Sequence, residues 1–262
     1  MSGETGAARR GPARPVGSRR MLVRDDLVIG QPAHAWVSGQ LARAWGNAAF
    51  PAPEPREAVC LAAEQHDVGW ADADLAPQLD AATGRPAPFT AVARPYHLAV
   101  WGSAARRLLS QSRYAALLVS LHGTGLYERL GEQPPEVAGA IAAYLGAERA
   151  LQARLSAGLD PAEVARNRAL LRCWDSFSLA LCLPHLPWRL EGVPAAAGGA
   201  AIVLDGAGES VTVDPWPFRD DRVELACEGR RLEGRFSDEA VLRATLAEAP
   251  WVALRWVLTP AG

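Results

Sequence analysis

The sequence predicts a mainly α fold with a small α+β appendage at its C-terminal end. Apolar residues recur at helical spacing through six segments before residue 185. Beyond it, short alternating segments broken by glycine have the pattern of antiparallel hairpins. A chain of 262 residues, 49% of them hydrophobic, can bury one sizeable core plus a minor attachment. The expected organisation is a disordered tail over 1–20, a helical domain over 21–185, and an α+β appendage over 186–262 packed upon it.

Each element has its own signal. The tail, MSGETGAARRGPARPVGSRR, is rich in Gly, Arg and Pro and lacks the apolar stretch of a signal peptide. MLVRDDLVI reads as a short strand. Gln31-Pro32 opens a first helix, because proline is favoured at the first helical position. His34, Val37, Leu41 and Trp45 form its apolar stripe. PREAVCLAAEQHD is a second helix with Val59, Ala63 and His66 on one face, and Gly69 is expected to end it. Residues 71–96 read as a long loop, a feature that is usually functional or disordered. YHLAVWGSAARRLLSQS is a third helix, with His97, Val100, Ala104 and Leu108 aligned. RYAALLVSLHG is a fourth and nearly all apolar, with His122 in line with Ala115 and Leu118. A fifth follows Pro134-Pro135. A sixth starts at Asp160-Pro161, with Glu163 expected to close a capping box, and it carries Asp175 in line with Leu171, Ser178 and Cys182. Then AIVLD-GAGE-SVTVD and RVELAC-EGR-RLEGRF read as hairpins, SDEAVLRATLAEA as a capped helix and WVALRWVL as a last strand.

Composition narrows the functional classes. The formal net charge is −2, which offers no electrostatic footprint for nucleic acid. No apolar run approaches the length of a membrane span. All 27 basic residues are arginine, so lysine nucleophiles, Schiff bases and lysine phosphate clamps are excluded. The four cysteines, Cys60, Cys173, Cys182 and Cys227, form no CxxC pair, which fits a reducing compartment. The expectation is a cytoplasmic protein that acts on a small molecule and has neither nucleic acid nor membrane as partner.

The histidines carry the chemistry. Four of the five, His34, His66, His97 and His122, fall on four different helices, each on its apolar stripe. Asp67 follows His66, and Asp175 sits mid-helix on an apolar face. A single such histidine is most simply a hydrogen-bonded core residue. Six such residues spread over five helices favour one shared site, because a buried carboxylate is costly unless paired or bound to metal. Imidazole and carboxylate together suit iron, manganese, zinc or nickel, and six ligands exceed what one tetrahedral zinc requires. His185, between prolines, reads as linker.

The order His34, His66-Asp67, His97, His122, Asp175 resembles the HD-domain superfamily in its dinuclear form, over roughly residues 30–182. The whole chain also resembles a bacterial HD-like family known as a domain of unknown function. The resemblance implies an all-helical metal-binding domain with two metal ions. It implies that Asp67 bridges them, that His34, His66 and Asp175 bind one, and that His97 and His122 bind the other. Two chemistries share this ligand set. One is dioxygen-dependent oxidation at a mixed-valent diiron centre, as in myo-inositol oxygenase and the organophosphonate oxygenases. The other is phosphoester hydrolysis, as in HD-GYP phosphodiesterases, with manganese, zinc or magnesium in place of iron. The lysine that often follows the HD pair by three positions is Trp70 here, and neither a paired His-His nor a GYP motif is present. These departures favour the diiron oxygenase, with phosphohydrolase as the alternative and a non-catalytic, metal-stabilised or sensor domain as a third reading. Trp70, Asp72, Asp74 and Tyr96 are candidates to line the entrance, with Asp67, Trp70, Arg94 and Tyr96 placed in the catalytic set. Arg166, Arg168 and Arg172 are the other arginines considered for the site.

Overall fold

The computed structural model describes residues 22–87, 94–131, 133–183 and 185–262. The expected disordered tail lies outside these residues, as does part of the expected loop.

The chain opens with a tight hairpin, β1 (Leu22–Arg24) and β2 (Leu27–Ile29), turned by Asp25 in the left-handed region at φ 53°. Helix α1 (Gln31–Ala44) follows, then α2 (Arg56–Gln65) and a single 3₁₀ turn over Val68–Trp70. The expected loop over 71–96 is shorter than the sequence suggests. It holds α3 (Ala71–Leu75) and a two-stranded ribbon of β3 (Leu79–Asp80) and β4 (Arg85–Pro86). Four longer helices come next: α4 (Arg94–Leu108), α5 (Arg113–Tyr127), α6 (Pro135–Leu155) and α7 (Pro161–Cys182). The chain ends with β5 (Trp188–Ala195), β6 (Gly198–Ala207), β7 (Ser210–Asp214), β8 (Val223–Arg231), α8 (Glu239–Glu248) and β9 (Trp251–Pro260).

The expectation of a mainly α fold with a small appendage is corrected by the sheet. Helix accounts for 49% of the structure and strand for 23%, and seven strands form one curled half-barrel sheet. Its order is β1-β2-β8-β9-β7-β6-β5, antiparallel except for the parallel pair β7–β9. Strands from both ends of the chain therefore share one sheet, with Leu27 and Val28 of β2 paired to Arg231 and Arg230 of β8. Farther along β8, Gln40 of α1 donates to the Ala226 carbonyl at 2.7 Å and accepts from its N–H at 2.9 Å. One amide side chain thus takes the place of a neighbouring strand, since buried backbone groups need partners.

The concave face of the sheet is not a separate core. Ile202, Leu204, Val211, Val213, Leu225 and Leu258 pack into the same cluster as Val37, Leu41, Trp174 and Phe177 of the helices. Alternation along β7 and β8 buries every second residue, as a one-sided sheet requires. Trp45 lies at the join, fully buried, with Phe50, Trp174 and Phe218 edge-on to its ring at 5.6–5.8 Å between centroids. Edge-to-face packing of this kind adds to the area the rings bury.

Three local expectations also change. The glycine in EGR does not make a turn: β8 runs straight through it, because a Cβ on Gly229 would lie 2.9 Å from the Val28 carbonyl of β2. That glycine permits close strand pairing, whereas Gly208 in GAGE, at φ 62°, does turn the β6–β7 hairpin. Gly69 is not a helix terminator but a contact point, since a Cβ there would fall 2.3 Å from the Val100 carbonyl of α4. Glu163 closes no capping box. Asp160 alone caps α7 through the Ala162 N–H at 2.9 Å, and Glu163 instead accepts from the Tyr114 hydroxyl at 3.4 Å. The first helix has no side-chain cap of its own, and Asp74 of α3 supplies one by accepting from the Gln31 N–H at 2.5 Å.

Candidate metal centre

Each candidate ligand is delivered by a helix whose packing fixes it. The apolar stripe of α1 drives His34 inward to 1% exposure. Gly39 lets α1 lie close on α2, where a Cβ would sit 2.7 Å from that of Glu64. This contact brings the end of α2 beside His34. His66 is the C-terminal cap of α2, fully buried, and Asp67 leads into the 3₁₀ turn. That turn is pinned to α4 at Gly69. His122 comes from the apolar helix α5 and Asp175 from α7.

Five of the six predicted ligands converge. His34, His66 and Asp67 form one group whose ligand atoms all lie within 4.8 Å of one another, and His66, His122 and Asp175 form a second. His34 Nε2 is 2.7 Å from Asp67 Oδ2. His66 Nε2 is 3.4 Å from Asp175 Oδ1 and 3.7 Å from Asp67 Oδ2, and His122 Nε2 is 3.6 Å from Asp175 Oδ2.

The hydrogen bonds assign the tautomers. His66 Nδ1 donates to the Ala63 carbonyl at 2.8 Å, which turns Nε2 toward the two carboxylates. Ser178 donates its hydroxyl proton to the Asp175 carbonyl at 2.9 Å, so its oxygen accepts from His34 Nδ1 at 2.9 Å. The Nε2 of His34 then faces Asp67. Ser38 also bonds Ser178, at 2.9 Å, and steadies the relay. Such outer contacts orient metal-binding imidazoles. Three buried atoms of the centre have no well-formed hydrogen bond: His66 Nε2, Asp67 Oδ1 and His122 Nδ1. A buried cluster of lone pairs and carboxylate oxygens short of donors fits a cation.

Electrostatics agree. Burial opposes a charge on His66, but the carboxylates of Asp67 and Asp175 outweigh it and raise its pKa to about 9. Burial dominates at His122, whose pKa falls to about 4 despite Asp175. Burial would raise Asp175, yet the close approach and charge of His66, with His122 and His34, hold it well below the usual carboxylate range.

His97 is placed apart from both groups. Its Nδ1 is bonded to the Tyr127 hydroxyl, and its ring stands edge-on to Trp70 and Trp101 at 5.2 and 6.4 Å. It nevertheless lines the same cavity of about 350 Å³ as His34, Asp67, His122 and Asp175. Trp70 and Arg94 line it too, and the Arg94 guanidinium lies 5.8 Å from the centre of the Tyr127 ring. Burial raises the Tyr127 hydroxyl to about 12, partly offset by Arg94.

The other candidates lie elsewhere. Tyr96 is 43% exposed and does not line the cavity. Asp72 pairs with Arg107 on the surface at 2.7 Å, while Asp74 caps α1. Arg166 donates to the Pro51 and Ala52 carbonyls, and Arg168 and Arg172 line a different groove. His185 follows α7 and is exposed. Sequence reasoning missed Tyr127, Trp101, Ser38 and Gln31, which line or support the site. The i, i+4 spacing of Ser38 from His34 was available as a signal; no pattern marks Tyr127.

The family model described as protein of unknown function (DUF3891) matches residues 21–234, most of the chain, and the chain belongs to that family. Neither the curated proteins nor the solved structures returned a match. No helix among the described residues is long and apolar enough to cross a membrane.

Proposed function

We propose that this DUF3891-family chain is a metal-dependent enzyme with a His/Asp centre for two metal ions, acting as a non-haem diiron oxygenase on a small polar substrate. One observation carries the reading. Two imidazole–carboxylate groups that share His66 open onto an aromatic-walled cavity of about 350 Å³. The ligand order along the chain supports a place in the HD superfamily. His34, His66 and Asp67 would hold one ion. His122 and Asp175 would hold the other, since the single Nε2 lone pair of His66 serves one ion only. Asp175 presents one oxygen to His66 and the other to His122, so its carboxylate would be available to the second ion.

A pair of irons would supply one-electron redox chemistry and dioxygen binding, which no side chain here offers. The chain's own groups do the rest. Trp70 and Trp101 exclude water from the cavity, and Arg94, the arginine on its wall, orients a polar or anionic group of the substrate. Four free, buried cysteines support a reducing compartment, the cytoplasm.

Arg94 also supports a second reading, dinuclear phosphohydrolysis with manganese, zinc or magnesium, because a guanidinium suits phosphoryl oxygens. Among the described residues Arg94 is the one arginine on a wall that, apart from Gln31 and the His/Asp cluster, is apolar and aromatic, and this favours oxidation. Metal analysis of protein purified without air, followed by electron paramagnetic resonance after partial oxidation, tests the choice. Two irons per chain with a mixed-valent signal are expected. Turnover of a generic phosphoester such as p-nitrophenyl phosphate under strict anaerobiosis, with zinc or magnesium in place of iron, would reverse it.

A further inference from the structure

A second cavity lies away from the metal centre. It is a groove of about 650 Å³ between α5, α6 and α7, on faces of α5 and α7 other than those that present His122 and Asp175. Its floor is apolar: Leu117 is buried, and Leu121, Leu159 and Val164 pack beside it. Three arginines, Arg129, Arg168 and Arg172, line it.

Their arrangement lacks an internal explanation. Arg168 and Arg172 are one turn apart on α7, a spacing at which like charges repel. Arg168 pairs with Glu128 at 3.4 Å, but the other oxygen of Glu128 is engaged by Arg149 at 3.3 Å. Arg129 and Arg172 form no hydrogen bond or ion pair among the described residues. Partial burial and the repulsion of Arg129 and Arg168 lower the pKa of Arg172, against the pull of Asp175. Gly125 keeps the groove clear, because a Cβ there would lie 2.6 Å from an Arg168 nitrogen. The remaining polar side chains are occupied. The Gln152 amide donates to Ser120 and Thr124, and Ser156 donates to the Ala153 carbonyl.

We propose that this groove binds an amphipathic organic anion, with a carboxylate or phosphate held by Arg129, Arg168 and Arg172 and a hydrocarbon body on the leucine floor. Guanidinium forks match both headgroups, and the volume falls within the range of small-molecule sites. This site does not depend on the chemistry assigned to the metal centre.

The test uses the full chain and displacement of 1-anilinonaphthalene-8-sulfonate by octanoate and octyl phosphate, followed by fluorescence and confirmed by calorimetry. Octyl phosphate and octanoate should displace the dye and octanol should not. The double variant Arg129→Gln/Arg172→Gln should weaken both at least tenfold, while Arg129→Lys/Arg172→Lys loses less because the charge remains. These side chains are exposed, so circular dichroism should show an unchanged fold. His66→Ala should bind as the parent does. Co-sedimentation of the parent chain, but not of the double Gln variant, with phosphatidylglycerol vesicles would identify the anion as a lipid headgroup. Binding of octyl phosphate without vesicle binding would identify a free small molecule. Equal affinity in the Gln variant, displacement by octanol as effective as by octanoate, or loss of binding in His66→Ala alone would overturn the proposal.

Discussion

The proton on His66 gives the metal reading its most direct test. In the metal-free centre that proton sits between Asp67 and Asp175, which hold the imidazole pKa at about 9. A metal ion that takes the Nε2 lone pair must displace it, so apparent affinity falls about tenfold for each pH unit below that value. One pKa unit is about 1.4 kcal/mol, and at pH 7 the displacement costs about 2.7 kcal/mol, roughly a hundredfold in Kd. A histidine at its ordinary value of 6.5 would have lost its proton by about pH 7.5, and affinity would level off there. The assay is calorimetric titration of zinc, as a redox-silent probe, into chelator-stripped protein between pH 6.5 and 9 in buffers of different ionisation enthalpy. The expected result is an affinity that keeps rising past pH 8, with about one proton released per first ion bound. A plateau from pH 7.5, or no proton release at pH 7.5, would refute the argument. The same linkage acts on metal-free folding. The stabilisation from charged His66 is complete below its unfolded pKa near 6.5 and is lost as pH rises through about 9.

Other perturbations probe separate parts of the structure. Asp175→Asn keeps the shape of the side chain but removes the charge that faces both His66 and His122; elemental analysis should show the loss of at least one metal per chain, with the fold intact by circular dichroism. Gly69→Ala drives a methyl group into the Val100 carbonyl, and chemical denaturation should report a loss of about 1–3 kcal/mol together with weaker metal binding, since the 3₁₀ turn carries Asp67. Trp45→Ala should cost about 3–5 kcal/mol in the same assay, because the indole is fully buried where helices meet sheet. For Asp74, burial raises the carboxyl pKa to about 8 against the pull of the Gln31 N–H. Stability from the protonated form is complete below about pH 4 and is lost as pH rises through about 8, so Asp74→Asn should flatten the pH dependence of the melting temperature between those limits.

The elements with local causes were legible in the sequence. Proline starts, the Asp160 cap and stripes of 3.6-residue period located the longer helices, because those signals act within one or two turns. The stripes also marked His34, His66, His122 and Asp175 as inward-facing, since an apolar helix face has one side to bury. The sheet had no comparable local cause. The strand-like MLVRDDLVI is joined to β8 across some two hundred residues of chain, and no neighbouring residue records that pairing. The glycine of EGR reads as a turn locally, yet it is there because β2 comes close. His97 lies on its helix stripe as its sequence position indicates. Which partners such a histidine meets, Tyr127 among them, depends on how α4 sits against α5, which Gly69, Trp101 and Gly123 decide through contacts. Hydrophobic period and caps specify which face of an element turns inward. What that face meets there is set by side chains distant in sequence, and only the packed chain brings them together.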